Sequence, residues 1–108
     1  MSKTDKARQD RLERAGWHSG DAADFLGLSE QERAFVELKL ALADYLRELR
    51  TEKAWTQAQV ARRLGSSQSR VAKMEAADAS VSVDLLVRSL LSLGASRTEV
   101  GNVIARAA

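Results

Sequence analysis

The chain has 108 residues, of which 30% are charged, with no proline, no cysteine and five aromatic side chains. This length serves one domain, the composition favours helices over a β-sandwich or barrel, and the lack of cysteine excludes disulfides, thiolate zinc sites and cysteine nucleophiles. No stretch approaches the roughly 20 apolar residues of a membrane span, and the first twenty residues lack the apolar core of an export signal. We therefore expect an all-α, cytoplasmic protein.

Residues 1–28 are predicted to form an N-terminal arm that is available to a partner. The first twenty residues carry mixed charge and end in a glycine-flanked stretch around Trp17 and His18, which is typical of a mobile arm or a short frayed helix. Trp17 is expected to dock this arm onto the domain or onto a partner. A single histidine with no cysteine makes a poor transition-metal site, so we predict no metal and no cofactor.

A long helix is predicted from about Glu30 to Lys53. Ser29 and Glu32 form the S-x-x-E pattern of a capping box, which marks its first turn. Apolar residues then recur at spacings of three and four, so that one stripe faces a core: Phe35, Leu38, Leu42, Tyr45, Leu46 and Leu49. Because the helix is long for so small a domain, its surplus apolar surface favours a homodimer. Either this helix or the C-terminal one could form the dimer interface.

Four shorter helices are predicted after the long one, each preceded by a serine or threonine that suits an N-cap. They run over residues 57–64, 68–76, 83–93 and 97–106, with a loop at 77–81 and a second capping box at Ser96 and Glu99. In the last of them Val100, Val103 and Ile104 are expected to face inward. Residues 29–108 are therefore predicted to form a five-helix domain.

The connection between the second and third of these five helices is very short. Only Gly65 and Ser66 separate the end of one from the cap of the next, so the two helices must cross steeply and touch. Ala61 is small enough to let the backbones approach, and glycine adopts the positive φ of such a turn without strain. The polar residues left on the outer face of the third helix are Gln68, Ser69, Arg70 and Lys73.

Charge is distributed unevenly along the chain. Residues 21–46 hold six acids and two bases, a net charge of −4, whereas residues 56–76 hold four bases and one acid, a net charge of +3. A local basic excess favours a polyanionic partner, and glutamine, arginine and lysine are the side chains that pair with base edges in the major groove. The alternative is an ordinary solvated face.

The stretch TQAQVARRLGSSQSRVAKME, residues 56–75, resembles the helix-turn-helix of the lambda-repressor-like family, also called Cro-type or xenobiotic-response-element regulators. The resemblance extends over about Leu42 to Gly94 and implies that a recognition helix enters the major groove of double-stranded DNA. It implies base contacts from Gln68, Ser69 and Lys73, and phosphate contacts from Thr56, Gln57, Arg62, Arg63 and Ser67. Arg70 is expected to contact bases as well, with a phosphate contact as the alternative.

Two features depart from that family pattern. The loop ADASVS lacks the Gly and Pro that many relatives carry after the recognition helix, and Trp55 replaces a smaller aliphatic residue. The segment before the helix-turn-helix, DAADFLGLSEQERAFVELKLALADYLRELR, resembles a subgroup of HigA-type antitoxins that pair with RelE-like toxins. This second resemblance rests on general patterning.

The sequence contains few residues in arrangements typical of a catalytic site. There is no nucleophile elbow and no phosphate-cradling glycine loop, and Glu30 with Glu32 is explained by the favourable position of acids at a helix N-terminus. We expect a dimeric transcriptional regulator that represses its own operon at an inverted-repeat operator and acts as an antitoxin. Two alternatives remain: a stand-alone or phage-type repressor without a toxin, and a protein-interaction module on a helix-turn-helix scaffold.

Overall fold

The structure, a computed structural model, describes residues 3–15 and 29–107. The described residues form six helices and no strand. Their bounds are α1 Lys3–Arg14, α2 Glu30–Glu52, α3 Gln57–Leu64, α4 Gln68–Glu75, α5 Val83–Ser92 and α6 Arg97–Arg106. The all-α prediction is confirmed, and α2 to α6 are the five helices expected after residue 29. Trp17 and His18 lie outside the described residues, and so does the predicted docking of Trp17.

Hydroxyl side chains begin five of these helices, as the sequence predicts. Ser29, Thr56, Ser67, Ser82 and Ser96 each accept a hydrogen bond from a backbone N–H in the first turn of the helix that follows. The box at Ser96 and Glu99 is complete. At Ser29 the Glu32 carboxylate accepts from the serine hydroxyl, at 3.1 Å, rather than from the backbone N–H of the cap.

A further complete capping box lies at the start of α3. The backbone N–H of Thr56 donates to Gln59 Oε1 at 2.7 Å, and the N–H of Gln59 donates to Thr56 Oγ1 at 3.1 Å. The T-x-x-Q pattern that forms it is visible in the sequence. This box sets the direction in which α3 begins, and with it the position of the first N–H groups of the helix.

Left-handed residues end four of the helices. Gly65 has φ +64°, and the N–H of Ser66 donates to Ala61 O at 2.8 Å, which is the Schellman arrangement expected for the tight turn. Gly94 plays the same part after α5. After α2 and α4, however, the left-handed residues are Ala54 with φ +57° and Ala77 with φ +55°, conformations that cost an alanine about 1 kcal/mol relative to glycine.

The core lies along the C-terminal two-thirds of α2, which contacts α4, α5 and α6. Its largest fully buried side chains come from α2 to α5 and are Leu42, Leu46, Val60, Val71, Met74, Leu86 and Leu90. Tyr45 ties α2 to α6, since its hydroxyl donates to Glu99 Oε2 at 3.3 Å. Two side chains expected to face inward are exposed instead: Phe35 at 56% and Ile104 at 37%.

The exposure of these two side chains follows from the position of each in its helix. Phe35 is in the second turn of α2, ahead of the part of α2 whose side chains are buried. In α6 the buried positions are Val100 and Val103, three residues apart, and Ile104 lies 100° further round the helix than Val103. The apolar face predicted for each of these two helices therefore includes one residue that is exposed in the structure.

Helix α1 docks on the domain through one apolar anchor and two ion pairs. Leu12 is only 2% exposed and belongs to the core cluster. Arg8 Nη1 lies 2.7 Å from Glu37 Oε1, and Arg11 Nη2 lies 2.8 Å from Asp44 Oδ1, so both pairs join α1 to α2. Of the two alternatives for the start of the chain, the structure shows a helix. The predicted boundary at residue 28 lies outside the described residues.

The loop after α4 takes a defined shape without glycine or proline. Asp78 Oδ1 accepts from the N–H of Ser80 at 2.9 Å and from its hydroxyl at 2.6 Å, and the N–H of Val81 donates to Asp78 O at 2.9 Å. The two hydrogen bonds from Ser80 lower the pKa of the Asp78 carboxyl, and the nearby Lys73 and Lys39 contribute. An aspartate-centred turn thus replaces the Gly and Pro of the family pattern.

Candidate nucleic-acid interface

Helices α3 and α4 form the pair expected from their short connection. Val60 and Ala61 are buried on α3, and Val71 and Met74 are buried on α4. Met74 is also the acceptor of a weak hydrogen bond from the buried hydroxyl of Ser89 on α5, with the oxygen 3.6 Å from the sulfur. Both helices are therefore fixed to the core by their inner faces, which leaves the opposite face of α4 to solvent.

The four side chains predicted to contact bases all lie on that outer face. Gln68, Ser69, Arg70 and Lys73 are exposed, and within the described part of the chain no ion pair or side-chain hydrogen bond occupies any of them. Lys73 has one electrostatic neighbour, because its charge helps to lower the pKa of the Asp78 carboxyl. The face is accordingly polar, cationic and open to a partner.

Two of the predicted phosphate ligands are the caps of the helix pair. Thr56 and Ser67 are exposed, and each uses a lone pair of its hydroxyl oxygen to accept a backbone N–H. The hydroxyl hydrogen of each is still available to a phosphate oxygen. Beside each cap, the first N–H groups of the helix have no acceptor within it and carry the positive end of its dipole.

Gln57 is less exposed than the sequence suggests. Its side chain is half-buried, and Nε2 donates to Glu75 Oε1 at 3.3 Å. The same carboxylate accepts from Arg50, whose Nε lies 2.5 Å from Oε2 and whose Nη2 lies 3.1 Å from Oε1. These hydrogen bonds join the start of α3, the end of α4 and the last turn of α2, and so they fix the two ends of the helix pair relative to each other.

Arg62 and Arg63 are both exposed, but they differ in what they touch. The guanidinium carbon of Arg63 lies 4.0 Å from the centre of the Trp55 ring, and Lys53 Nζ lies 5.5 Å from the same point. Trp55 is half-buried and packs against the core. The sequence analysis gave the two arginines the same role and noted Trp55 only as a departure from the family pattern. The tryptophan directly before the N-cap is the signal that was available.

The buried charged residues of the described chain were also missed. Glu75 is 8% exposed and Lys39 is 5% exposed. Burial lowers the pKa of the Lys39 amine, and Asp78 opposes that shift by its negative charge. Neither residue stands out in the sequence, because Glu75 reads as the polar end of α4 and Lys39 interrupts an apolar run.

Metal and membrane sites find no support in the described residues. Within residues 3–15 and 29–107 there is no cluster of three or more histidine or carboxylate side chains able to hold a metal ion. None of the helices described combines the length and apolar character that crossing a membrane demands. The open clefts near α1 are lined by arginine, carboxylate and apolar side chains, and both members of the Arg11–Asp44 ion pair line each of them.

Comparison with known proteins agrees with the geometry of α3 and α4. A family model described as a helix-turn-helix domain matches residues 41–102, more than half of the chain. This range begins inside α2 and ends inside α6, so it contains the helix pair and most of the core. Neither the curated proteins nor the solved structures gave a match. Because the family model covers more than half of the chain, the chain belongs to the helix-turn-helix domain family.

Proposed function

We propose that this protein is a transcriptional repressor that binds a specific DNA sequence through the outer face of α4. The observation that carries the proposal is the open row of Gln68, Ser69, Arg70 and Lys73 on a helix whose other face is fully buried. Helix-turn-helix family membership supports a DNA-binding regulator. Glutamine pairs bidentately with adenine, and arginine or lysine with guanine, in a groove wide enough for one helix.

Phosphate contacts complete the proposed interface. The capped starts of α3 and α4 present hydroxyl groups and unpaired N–H groups, and Arg62, Arg63 and the half-buried Gln57 lie on α3. Such contacts hold the register of the protein on the duplex, while the side chains of α4 carry the sequence preference. The site needs no catalytic group, and domains of this family are generally not enzymes.

We further propose that the repressor acts as a homodimer on an inverted repeat. Recognition helices about 34 Å apart read half-sites about 10 base pairs apart, and doubling the contacts supplies affinity that one eight-residue helix lacks. Among the described residues, Phe35 on α2, Leu91 on α5 and Ile104 on α6 are the exposed large apolar side chains. Phe35→Asp and Ile104→Asp are a matched pair, since only the variant whose residue lies in the dimer interface should become monomeric by light scattering.

The antitoxin role is a narrower proposal, and it rests on the resemblance of residues 21–50 to HigA-type proteins. A RelE-like toxin would be its protein partner, and residues 1–28 are the segment proposed to bind it. A neighbouring gene that encodes a small basic protein, and co-purification of the two products, would support this role. If the purified protein represses its promoter fully and no such gene exists, the stand-alone repressor is the better description.

The proposal is tested by anisotropy titration of the full chain with duplexes from its own upstream region and with a scrambled duplex of equal composition. We expect a preference of at least about 10³-fold for one upstream fragment and a steep loss of affinity as salt rises. Equal affinity for both duplexes would contradict a sequence-specific repressor. Absence of binding to either duplex at low salt would favour the protein-interaction module.

A further inference from the structure

In its contact with Trp55, the positively charged side chain of Arg63 points back along α3, from the last turn towards the N-terminal end. Arg63 belongs to the last turn of α3, while Trp55 precedes the N-cap of the same helix. The six residue steps from Gln57, the first residue of α3, to Arg63 correspond to about 9 Å of helix rise. Because a long helical side chain runs towards the N-terminus of its helix, the guanidinium reaches back over the tryptophan ring, to 4.0 Å from its centre.

Trp55 is a fixed platform for this charge. The backbone N–H of Trp55 donates to the backbone oxygen of Arg50 at 3.0 Å, and the backbone carbonyl oxygen of Trp55 accepts from Arg50 Nη1 at 3.1 Å. Arg50 is itself held by the Glu75 carboxylate, which also accepts from Gln57. The backbone that carries the ring is therefore tied to the same network that sets the start of α3.

The contact with Trp55 leaves the charge of Arg63 available to an anion. The side chain is exposed, and among the described residues no carboxylate pairs with it. A cation over an aromatic face keeps its N–H donors at the edge of the guanidinium plane free for an anion. Arg62 lies 100° away around the helix and has no such contact. The two arginines are therefore not equivalent.

We propose that Trp55 is a positioning residue, which holds the Arg63 guanidinium over its ring, back along α3 towards the N-terminal end of the helix, so that it contacts a DNA phosphate. This inference rests on the proposed DNA binding and assigns the phosphate contact to Arg63 in preference to Arg62. The benefit of the stack is preorganisation: a long side chain loses conformational freedom when it is ordered on binding, and here that loss occurs before DNA arrives.

The test is a double-mutant cycle on the affinity of the full chain for its preferred promoter duplex, measured over a salt series. Arg63→Ala should weaken binding to all duplexes alike and lower the slope of log K against log salt by about one. Trp55→Leu should weaken binding about threefold to tenfold. In the Arg63→Ala background Trp55→Leu should have no further effect, because the ring acts through the arginine.

Three comparisons make the test specific. Trp55→Phe keeps a ring and should restore most of the affinity lost in Trp55→Leu, and Arg62→Ala should change the salt slope less than Arg63→Ala does. Urea midpoints of every variant show whether the domain remains folded. Should Trp55→Leu not fold, the cycle is run with Trp55→Met, which keeps a long apolar side chain without an aromatic face, and Arg63→Ala.

The proposal is overturned if Trp55→Leu lowers affinity by the same factor with and without Arg63, since the ring would then act on the fold alone. It is also overturned if Arg63→Ala leaves the salt slope unchanged while the wild-type protein binds DNA specifically. Failure of the wild-type protein to bind any duplex would overturn the proposed function as well, so the two failures are distinguishable.

Discussion

Arg50 Nε lies 2.5 Å from Glu75 Oε2, and this ion pair joins the last turn of α2 to the end of α4. The Glu75 side chain is 6% exposed and that of Arg50 is 19% exposed, so both groups have lost most of their hydration. Hydrogen bonding to Glu75 raises the pKa of the Arg50 guanidinium against the opposing effect of burial. Each residue therefore depends on the other for its place in the fold.

Removing one member of this pair should be costly. We predict that Glu75→Gln lowers the free energy of unfolding by about 3 kcal/mol, because it leaves the Arg50 charge in a poorly hydrated site without a carboxylate. The measurement is urea unfolding at pH 7. The control is the double variant Arg50→Met with Glu75→Leu, which should recover most of the loss, since apolar side chains of similar volume often replace a buried pair without cost. An unchanged midpoint for Glu75→Gln would show that the pair contributes little.

Ala54 and Ala77 allow a matched test of backbone strain. Both have positive φ, but Ala54 is exposed and Ala77 is fully buried. We predict that Ala54→Gly raises the free energy of unfolding by about 0.5 to 1 kcal/mol through relief of strain. Ala77→Gly should raise the free energy of unfolding much less, because this variant also loses a buried methyl group that contributes about 1 kcal/mol. Thermal unfolding of both variants checks this, and a larger gain at Ala77 would contradict it.

The sequence predicts the helices of this fold well and the polar contacts between them poorly. Helix starts depend on local hydroxyl caps, and the turn at Gly65 depends on one residue type, so both are visible in the chain. The link of Glu75 to Gln57 and Arg50 joins residues 18 and 25 positions apart. No local pattern marks such a contact, which is why Gln57 was expected to be free. The sequence shows that Trp55 is unusual for the family, but it does not show that the ring contacts Arg63. That contact depends on the direction that the Arg63 side chain takes along α3.

Helix α1 should behave as a separately opening unit. Its two ion pairs are partly exposed and each is worth less than about 1 kcal/mol, whereas burial of Leu12 is worth about 1.5 to 3 kcal/mol. We predict that Leu12→Ala speeds hydrogen exchange in α1 by about 10- to 100-fold and leaves α3 and α4 protected. Leu46→Ala is the control, since it should destabilise the whole domain. Unchanged protection of α1 in Leu12→Ala would show that the anchor is elsewhere.

The Asp78 turn predicts a dependence of stability on pH. Hydrogen bonds from Ser80 hold the pKa of the Asp78 carboxyl below its ordinary value. Stability from such a group is present above the unfolded-state pKa, near 3.9, and is lost as pH falls through the lower folded-state pKa. We predict that Asp78→Asn costs about 1 kcal/mol at pH 7, as expected for a hydrogen-bonded charge near the surface, and that the difference shrinks at acid pH. A difference that is constant from pH 7 to pH 2.5 would contradict this role.

In the proposed complex with DNA, α4 contacts bases and α3 contacts the phosphate backbone of the duplex. The most direct measurement is the affinity of wild type, Gln68→Ala and Arg63→Ala for a set of operators in which each base pair is changed in turn, with Arg97→Ala on α6 as the control. Gln68→Ala should cost about 1 to 3 kcal/mol on the preferred operator and abolish discrimination at one or two positions per half-site, whereas Arg63→Ala should weaken every operator equally. If both variants lose affinity uniformly, with every position still discriminated, then the outer face of α4 does not read the sequence.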